Sequence, residues 1–589
     1  MDIFKAAALG DVESLKNTIN ESNLEARDRE GKTPLMVAVE SSRAPIEAVE
    51  YLLQRGADPN AKTIPPERPD TLEMMKAEGF ELPDMSSMKL PSASVLSIAA
   101  QNSSLEKIVA LMDAGANPKF VDDSGYGVLL LSCYGAYNRN ASENEAVYRL
   151  LHRLGAPYTA ETKYGESVAS VLSNQGHFKL LKVALELGAD SEPLDWTPLF
   201  YAIAFNDMEQ FHTEAVLDQA IEDRDCWDRT PFLLAVVASN LEAAMYLVDR
   251  GGDIHAVGRC GRTALMYAAE NDDRDMCRWL IDIGCDVCAS DEFDGRALKV
   301  AVERDSLDCA SILIESGADV FRVDKHGFGL MYEVETPRMA NLLLKAGLDA
   351  SEIGSDVRKK LTDCEDCWEL EVSENDYLKH RDRRFGNANP EKMNNAFWES
   401  MVRTRNSAYA ANSTFEKSSF DFESPTWCFD RFGHSLTPLP DGRYVEIGGE
   451  HEDGYDPDFC IYNDVVVHDG KGTFEIYGYP ESVFPPTDFH SATYVNGKIF
   501  VIGRLGYPDG RKYGQTPVFV LDCQNWSIKK IEVAGDCPGW IFEHNAKLVD
   551  DRFIEVSSGK IGTAEDVCDH SQQWVLDTEE MRWTKDICR

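Results

Sequence analysis

Residues 261–287 read GRTALMYAAENDDRDMCRWLIDIGCDV. Two short amphipathic helices are visible in this stretch, joined by the polar break Glu270-Asn271-Asp272-Asp273, and Gly284 ends the second. The pattern recurs one step back, at Arg229-Thr230-Pro231-Phe232-Leu233-Leu234-Ala235 with Gly251-Gly252-Asp253. It recurs one step forward, at Arg296-Ala297-Leu298 with Gly317-Ala318-Asp319. Gly251, Gly284 and Gly317 are spaced by 33 residues. A turn and two helices at a fixed period describe a stack of units, each too small to bury its apolar face alone.

Working outward, Gly31-Lys32-Thr33-Pro34-Leu35 through Gly56-Ala57-Asp58 is the same unit again. Thr33 is expected to cap the first helix with its hydroxyl, Pro34 to take the first helical position and Gly56 to close the second helix in a left-handed conformation. These residues resemble the ankyrin-repeat family. The resemblance implies an α-solenoid over 1–350 of about ten units, with Ile3 to Ile19 as its N-terminal cap. The Pro- and Met-rich stretch 63–91 reads as an insertion on one loop. Where the family often carries a histidine after Thr-Pro-Leu, this chain has Met36, Phe200, Leu233, Met266 and Lys299, so apolar packing must substitute for that hydrogen bond. The family's concave face and turn tips are its usual binding surface. The tips supply Arg29, Trp227, Arg259, Phe293 and His326 as candidate partner-binding residues.

Period 33 stops near Ser351. A charged, helical linker over 351–424 follows, with acidic 361–377 running into Lys379, His380, Arg381, Arg383 and Arg384. Residues 389–411 read as one helix with Met393, Ala396, Phe397 and Met401 on its apolar side.

From 425 the pattern turns to strands. Arg431-Phe432-Gly433-His434-Ser435 is echoed by Asp488-Phe489-His490-Ser491 and by Phe542-Glu543-His544-Asn545, about 55 residues apart. Each echo leads into a turn, an apolar strand, a second strand and a large aromatic: Phe474, Trp526 or Trp583. This half, 425–589, is similar to the kelch family, which implies a partial β-propeller of three recognisable blades. The first unit keeps the family's glycine doublet, Gly448-Gly449; the second has Gly503-Arg504 and the third Ser557-Ser558. Propellers close with at least about four blades. A degenerate fourth blade, pairing with another chain through the open edge, or cover by the linker helix are the three ways to complete it. The recurring histidines read as structural. The loop 450–464 gathers Glu450, Glu452, Asp453, Asp456 and Asp458 as an acidic docking loop.

Charge bounds the partners. With 101 acidic and 59 basic residues the net charge is -42, which disfavours phosphate backbones and favours capture of a basic protein. No run approaches the roughly 18 apolar residues of a membrane helix. The N-terminus lacks the basic-then-apolar order of a secretory signal, so a cytoplasmic location with reduced thiols is expected. The fifteen cysteines, including the pairs Cys285/Cys288 and Cys364/Cys367, read as packing residues. No nucleophile elbow, phosphate loop, zinc-hydrolase or dinucleotide fingerprint occurs, and no catalytic residue, metal or cofactor is assigned. The expectation is a non-catalytic adaptor or scaffold, binding a protein through the ankyrin face and the kelch loops. The alternatives are an immunity-type binder that neutralises a basic toxin and a metal-dependent enzyme using the acidic loop.

Overall fold

The computed structural model describes residues 3–64, 92–134, 141–158, 161–215, 220–324, 327–348, 353–362, 370–415, 425–451 and 459–585. The chain divides into two compact units, 1–264 and 265–589.

In the first unit, helix pairs follow one another, from Ile3–Leu9 with Val12–Thr18 to Pro231–Val237 with Leu241–Asp249. One local chemistry starts and stops them. The hydroxyls of Thr33, Ser94, Ser167 and Thr230 accept the backbone N–H three residues on at 3.1–3.3 Å, satisfying a donor the helix leaves open. Pro34 and Pro231 begin their helices. Gly56, Gly115, Gly188 and Gly251 close the second helices with φ of +93° to +101°, where a Cβ would be strained. Met36, Phe200 and Leu233, standing where a histidine was expected, are fully buried, so packing does replace that hydrogen bond.

The insertion leaves and rejoins a single turn. Lys62 bridges Ser94, and the Thr63 N–H donates to the Ala93 carbonyl at 2.8 Å; residues 65–91 between them lie outside the described residues. Beyond it, buried Lys107 donates to the carbonyls of Ala38, Val39 and Ser41 at 2.8–3.1 Å. A cation thereby satisfies the open C-terminal end of the helix Pro34–Glu40.

The second unit begins with the pairs Ala264–Glu270 with Arg274–Asp282 and Ala297–Glu303 with Leu307–Glu315. In the last repeat a 3-10 turn, Leu330–Glu333, stands in for the first helix before Pro337–Lys345. Cys277 and Cys309 are fully buried between repeats, and Cys285 occupies the alanine slot while Cys288 is exposed. Cys364 and Cys367 lie outside the described residues. Among the described residues no helix is long and apolar enough to cross a membrane.

The linker corrects the expectation of one helix over 389–411. Glu391–Lys392 is a strand, a helix runs only from Ala396 to Thr404, and a second covers Ala408–Phe415. Asn395 sets the start, its side chain accepting the Trp398 N–H at 2.9 Å. Arg405 sets the stop, in the left-handed region at φ +52°.

The strands are β1 (Glu391–Lys392), β2 (Ser435–Pro438), β3 (Tyr444–Ile447), β4 (Glu450–His451), β5 (Cys460–Ile461), β6 (Val465–His468), β7 (Phe474–Gly478), β8 (Ser491–Val495), β9 (Lys498–Ile502), β10 (Val518–Asp522), β11 (Ile528–Lys530), β12 (Trp540–Phe542), β13 (Asn545–Val549), β14 (Phe553–Ser557), β15 (Lys560–Gly562), β16 (Val567–Asp569), β17 (Trp574–Asp577) and β18 (Arg582–Lys585). They form three antiparallel four-strand meanders: β2-β3-β6-β7, β8-β9-β10-β11 and β13-β14-β17-β18. β1 is added to the outer edge of the first. Among the described residues no fourth such sheet and no closed ring is formed. The first strands β2, β8 and β13 lie side by side in that order.

Each sheet packs face to face on the next. Val445, Ile447, Val465 and Val467 of the first meet Ile499, Val501, Phe519 and Leu521 of the second. Phe500, Ile502, Val518 and Val520 on its other face meet Ile554, Val556, Trp574 and Leu576 of the third. The linker covers the remaining face of the first sheet, with Phe397, Trp398, Met401 and Val402 against Val466 and Ile476. The pairing Ser435↔Ile447, Ser491↔Ile502 and Asn545↔Ser557 makes Gly448, Gly503 and Ser558 equivalent. The third doublet is therefore Ser558-Gly559 rather than Ser557-Ser558, because the β13–β14 hairpin is one residue longer than the β8–β9 hairpin. Left-handed φ survives at all three positions: +58°, +70° and +58°. The reason shows at Gly448 and Gly449: an added Cβ would lie 2.2 Å from the Thr487 carbonyl oxygen and 2.6 Å from the His434 Cβ.

Candidate protein-interaction site

The tips of the repeats are organised by one residue type. Asp28, Asp225 and Asp291 each accept two backbone N–H groups through Oδ1, two and four residues on, at 2.7–2.9 Å. This side-chain turn rigidifies the loop and presents the residues between. Thr162 makes the same turn with its hydroxyl toward Tyr164 and Glu166. Asp291 and Asp324 stand 33 residues apart in the sequence, so the turn aspartate was readable from the same period as the glycines.

The tip candidates fall into two groups. In the first unit, Arg29 is exposed. Trp227 is half-buried and turned back on the stack, its Nε1 donating to the Ser170 carbonyl at 2.9 Å. The exposed Arg259 guanidinium stands 5.4 Å from its ring centre, and the Arg259 N–H donates to the Trp227 carbonyl at 2.8 Å. Below them a pair that sequence reading passed over anchors the tip. Arg229 and Asp225 are buried, 2.6 Å apart, and Arg229 also donates to the Ser173 carbonyl at 2.9 Å. In the second unit Phe293 is 71% exposed, the most open large apolar side chain among the described residues. His326 lies outside the described residues.

The acidic-loop candidates separate as well. Glu452, Asp453, Asp456 and Asp458 lie outside the described residues. Glu450 is buried in β4, paired with Ile461, so it is a packed residue and not part of an exposed loop. Beside it, burial pushes the Asp488 carboxyl up, opposed by the Gly506 N–H and the Glu450 side chain.

The recurring histidines join sheet to sheet. His490 Nε2 is 2.9 Å from the Ser435 hydroxyl of the preceding sheet, and His544 Nε2 is 2.9 Å from Ser491. Burial lowers both rings, to about 3. His434 has no preceding sheet among the described residues; its Nε2 instead accepts from Arg358 of the helix Ser355–Leu361. Burial and that guanidinium lower it to about 4. Glu446, on the linker-covered face, meets Arg405 at 2.6 Å and His468 at 3.1 Å. Burial alone would push its carboxyl up; Arg405 and the two histidines hold it well below the usual carboxylate range. These groups are occupied with one another, which is the arrangement of a structural network.

The family model for ankyrin repeats matches the chain over residues 3–63, 205–291 and 232–324. No family model matches the β-rich region. No curated protein matches the chain. The N-terminal and middle region thus carries ankyrin repeats, units whose common work is the binding of other proteins.

Proposed function

We propose that the chain is a non-catalytic adaptor, with ankyrin repeats over 1–350, a linker over 351–424 and, over 425–589, a kelch-like array of three blades from an incomplete propeller. The observation that carries the adaptor reading is the contrast on the repeats. Their helices are largely packed, while aspartate-braced turns hold Arg29 and Phe293, and contacts with Trp227 hold Arg259, out to solvent. The net charge of -42 favours a basic protein as partner, a neutralised toxin being one such case. Support for the kelch-like reading is the repeated four-strand order, with its histidine and left-handed residue at one register.

The test is quantitative capture with the full chain and with a Phe293→Ala/Arg259→Ala variant, at low and high salt. A stoichiometric basic partner should bind the parent, weaken with salt and lose about tenfold or more in affinity with the variant. A partner held equally by both would move the site off the tips, and a partner indifferent to salt would remove the electrostatic part of the reading.

A further inference from the structure

β2, β8 and β13 and the last turn of the helix Pro337–Lys345 surround a cavity of about 660 Å³. Its size suits a small organic ligand. The helix is held over the sheets by Asn341, whose Nδ2 donates to the Tyr444 hydroxyl at 2.8 Å. The described residues lining the cavity include no aspartate or glutamate, in a chain that holds 101 of them, and the one permanently charged side chain among those described residues is Lys345. Lys345 is exposed at the rim of the cavity and has no ion-pair partner among the described residues. The hydroxyls of Thr493 and Tyr494 and the amide of Asn545 line the same space and make no hydrogen bond there. His544 also lines it; the ring is buried, and its Nδ1 has no partner. Leu344, Leu348 and Pro438 add an apolar wall.

An exposed ammonium without an ion-pair partner and three further groups able to donate, with no acid among the described lining residues, are complementary to oxygen atoms bearing negative charge. We propose that this cavity binds a small organic oxyanion, a carboxylate or a phosphate ester with a compact apolar body, with Lys345 as counter-charge and Thr493 and Asn545 as donors. The site is independent of the repeat tips and of any protein partner.

Titration calorimetry on the full chain with phenyl phosphate, phenylacetate and benzyl alcohol tests this. One or both oxyanions should bind with a Kd below about 1 mM, and benzyl alcohol should bind about tenfold more weakly or not at all. Binding of phenyl phosphate alone assigns a phosphate ester, and binding of phenylacetate alone a carboxylate. Lys345→Met removes the counter-charge and Asn545→Asp places a carboxylate in the cavity; each should weaken the oxyanion about tenfold or more. Circular dichroism checks that both variants fold, and either one suffices. No binding of either oxyanion, equal binding of the alcohol, or unchanged affinity in a folded variant overturns the proposal.

Discussion

The first and third sheets of the β region share one strand order and one register, yet they end the stack in opposite ways. On the face toward the next sheet, Val445 of the first and Phe500 of the second are equivalent to Glu555 of the third, and Ile447 and Ile502 to Ser557. The apolar pairs are buried, whereas Glu555 and Ser557 are partly exposed. The row Lys547, Glu555, Val575 and Thr584 crosses the third sheet on this outer side. On the opposite face, Val501 and Val556 of the later sheets correspond to Glu446 of the first. Among the described residues no sheet precedes the first, and Glu446 meets the linker's Arg405 instead. Among the described residues one end of the array is polar and partly exposed, like the outer face of a terminal repeat; the other is capped by helices from the same chain. Stacking with caps removes the need for ring closure.

The largest expected effect separates the two ends at one register position. Phe500→Ala opens a cavity between the second and third sheets and should cost about 3 to 5 kcal/mol. Glu555→Ala, at the equivalent position of the bare face, should change stability by less than about 0.5 kcal/mol. Denaturant midpoints of the two variants decide the matter. Similar losses would mean that the third sheet's outer face is covered in solution.

Much of this contrast was legible, and the reason is periodicity. Between the second and third sheets the run Ile499-Phe500-Val501-Ile502 marks a strand buried on both faces, whereas Phe553-Ile554-Glu555-Val556 breaks the run with an acid. The first sheet's Tyr444-Val445-Glu446-Ile447 carries an acid too, and that acid is buried nonetheless, because Arg405 pairs with it. The 33-residue spacing likewise located Gly251, Gly284 and Gly317, the Gly-Ala-Asp pattern located Gly56, and Thr33 caps as expected. What sequence reading missed depends on contacts between distant residues. Nothing local joins Arg405 to Glu446 or Trp227 to Ser170. One residue more in the β13–β14 hairpin than in the β8–β9 hairpin hid the third doublet at Ser558-Gly559. The linker's apolar spacing suited a long helix, but β1 pairs with β7, and Asn395 and Arg405 cut the helix to Ala396–Thr404. Glu450 belongs to a run of carboxylates in the sequence, and only the strand pairing with Ile461 shows that it is buried.

A second, smaller effect sharpens the comparison at the capped end. Glu446→Val copies the residue that the later sheets use, but it leaves Arg405 buried without its carboxylate. It should destabilise by about 3 kcal/mol. Restoring neutrality with Arg405→Met in the same chain should recover most of that loss, because replacing both members of a buried pair by apolar groups is close to neutral. If the double variant is as unstable as the single one, His434 and His468 depend on Glu446 more than Arg405 does.

The smallest effect concerns the joints between the sheets. His490 and His544 sit at about 3 in the folded chain, with neighbouring histidines as the secondary cause, against an unfolded value near 6.5. Below pH 6.5 the unfolded chain therefore binds protons that the folded chain refuses, and stability falls as the pH drops through the window from 6.5 toward 3. Between pH 7 and pH 5.5 each ring should account for roughly 1 kcal/mol of that fall. His490→Gln keeps a polar group facing Ser435 and cannot titrate. The variant's loss between those two pH values should accordingly be smaller than the parent's by about 1 kcal/mol, whatever its stability at neutral pH. An unchanged acid slope would mean that the ring takes up its proton in the folded chain, and hence that the joint between the first two sheets opens to water well before the sheets themselves come apart.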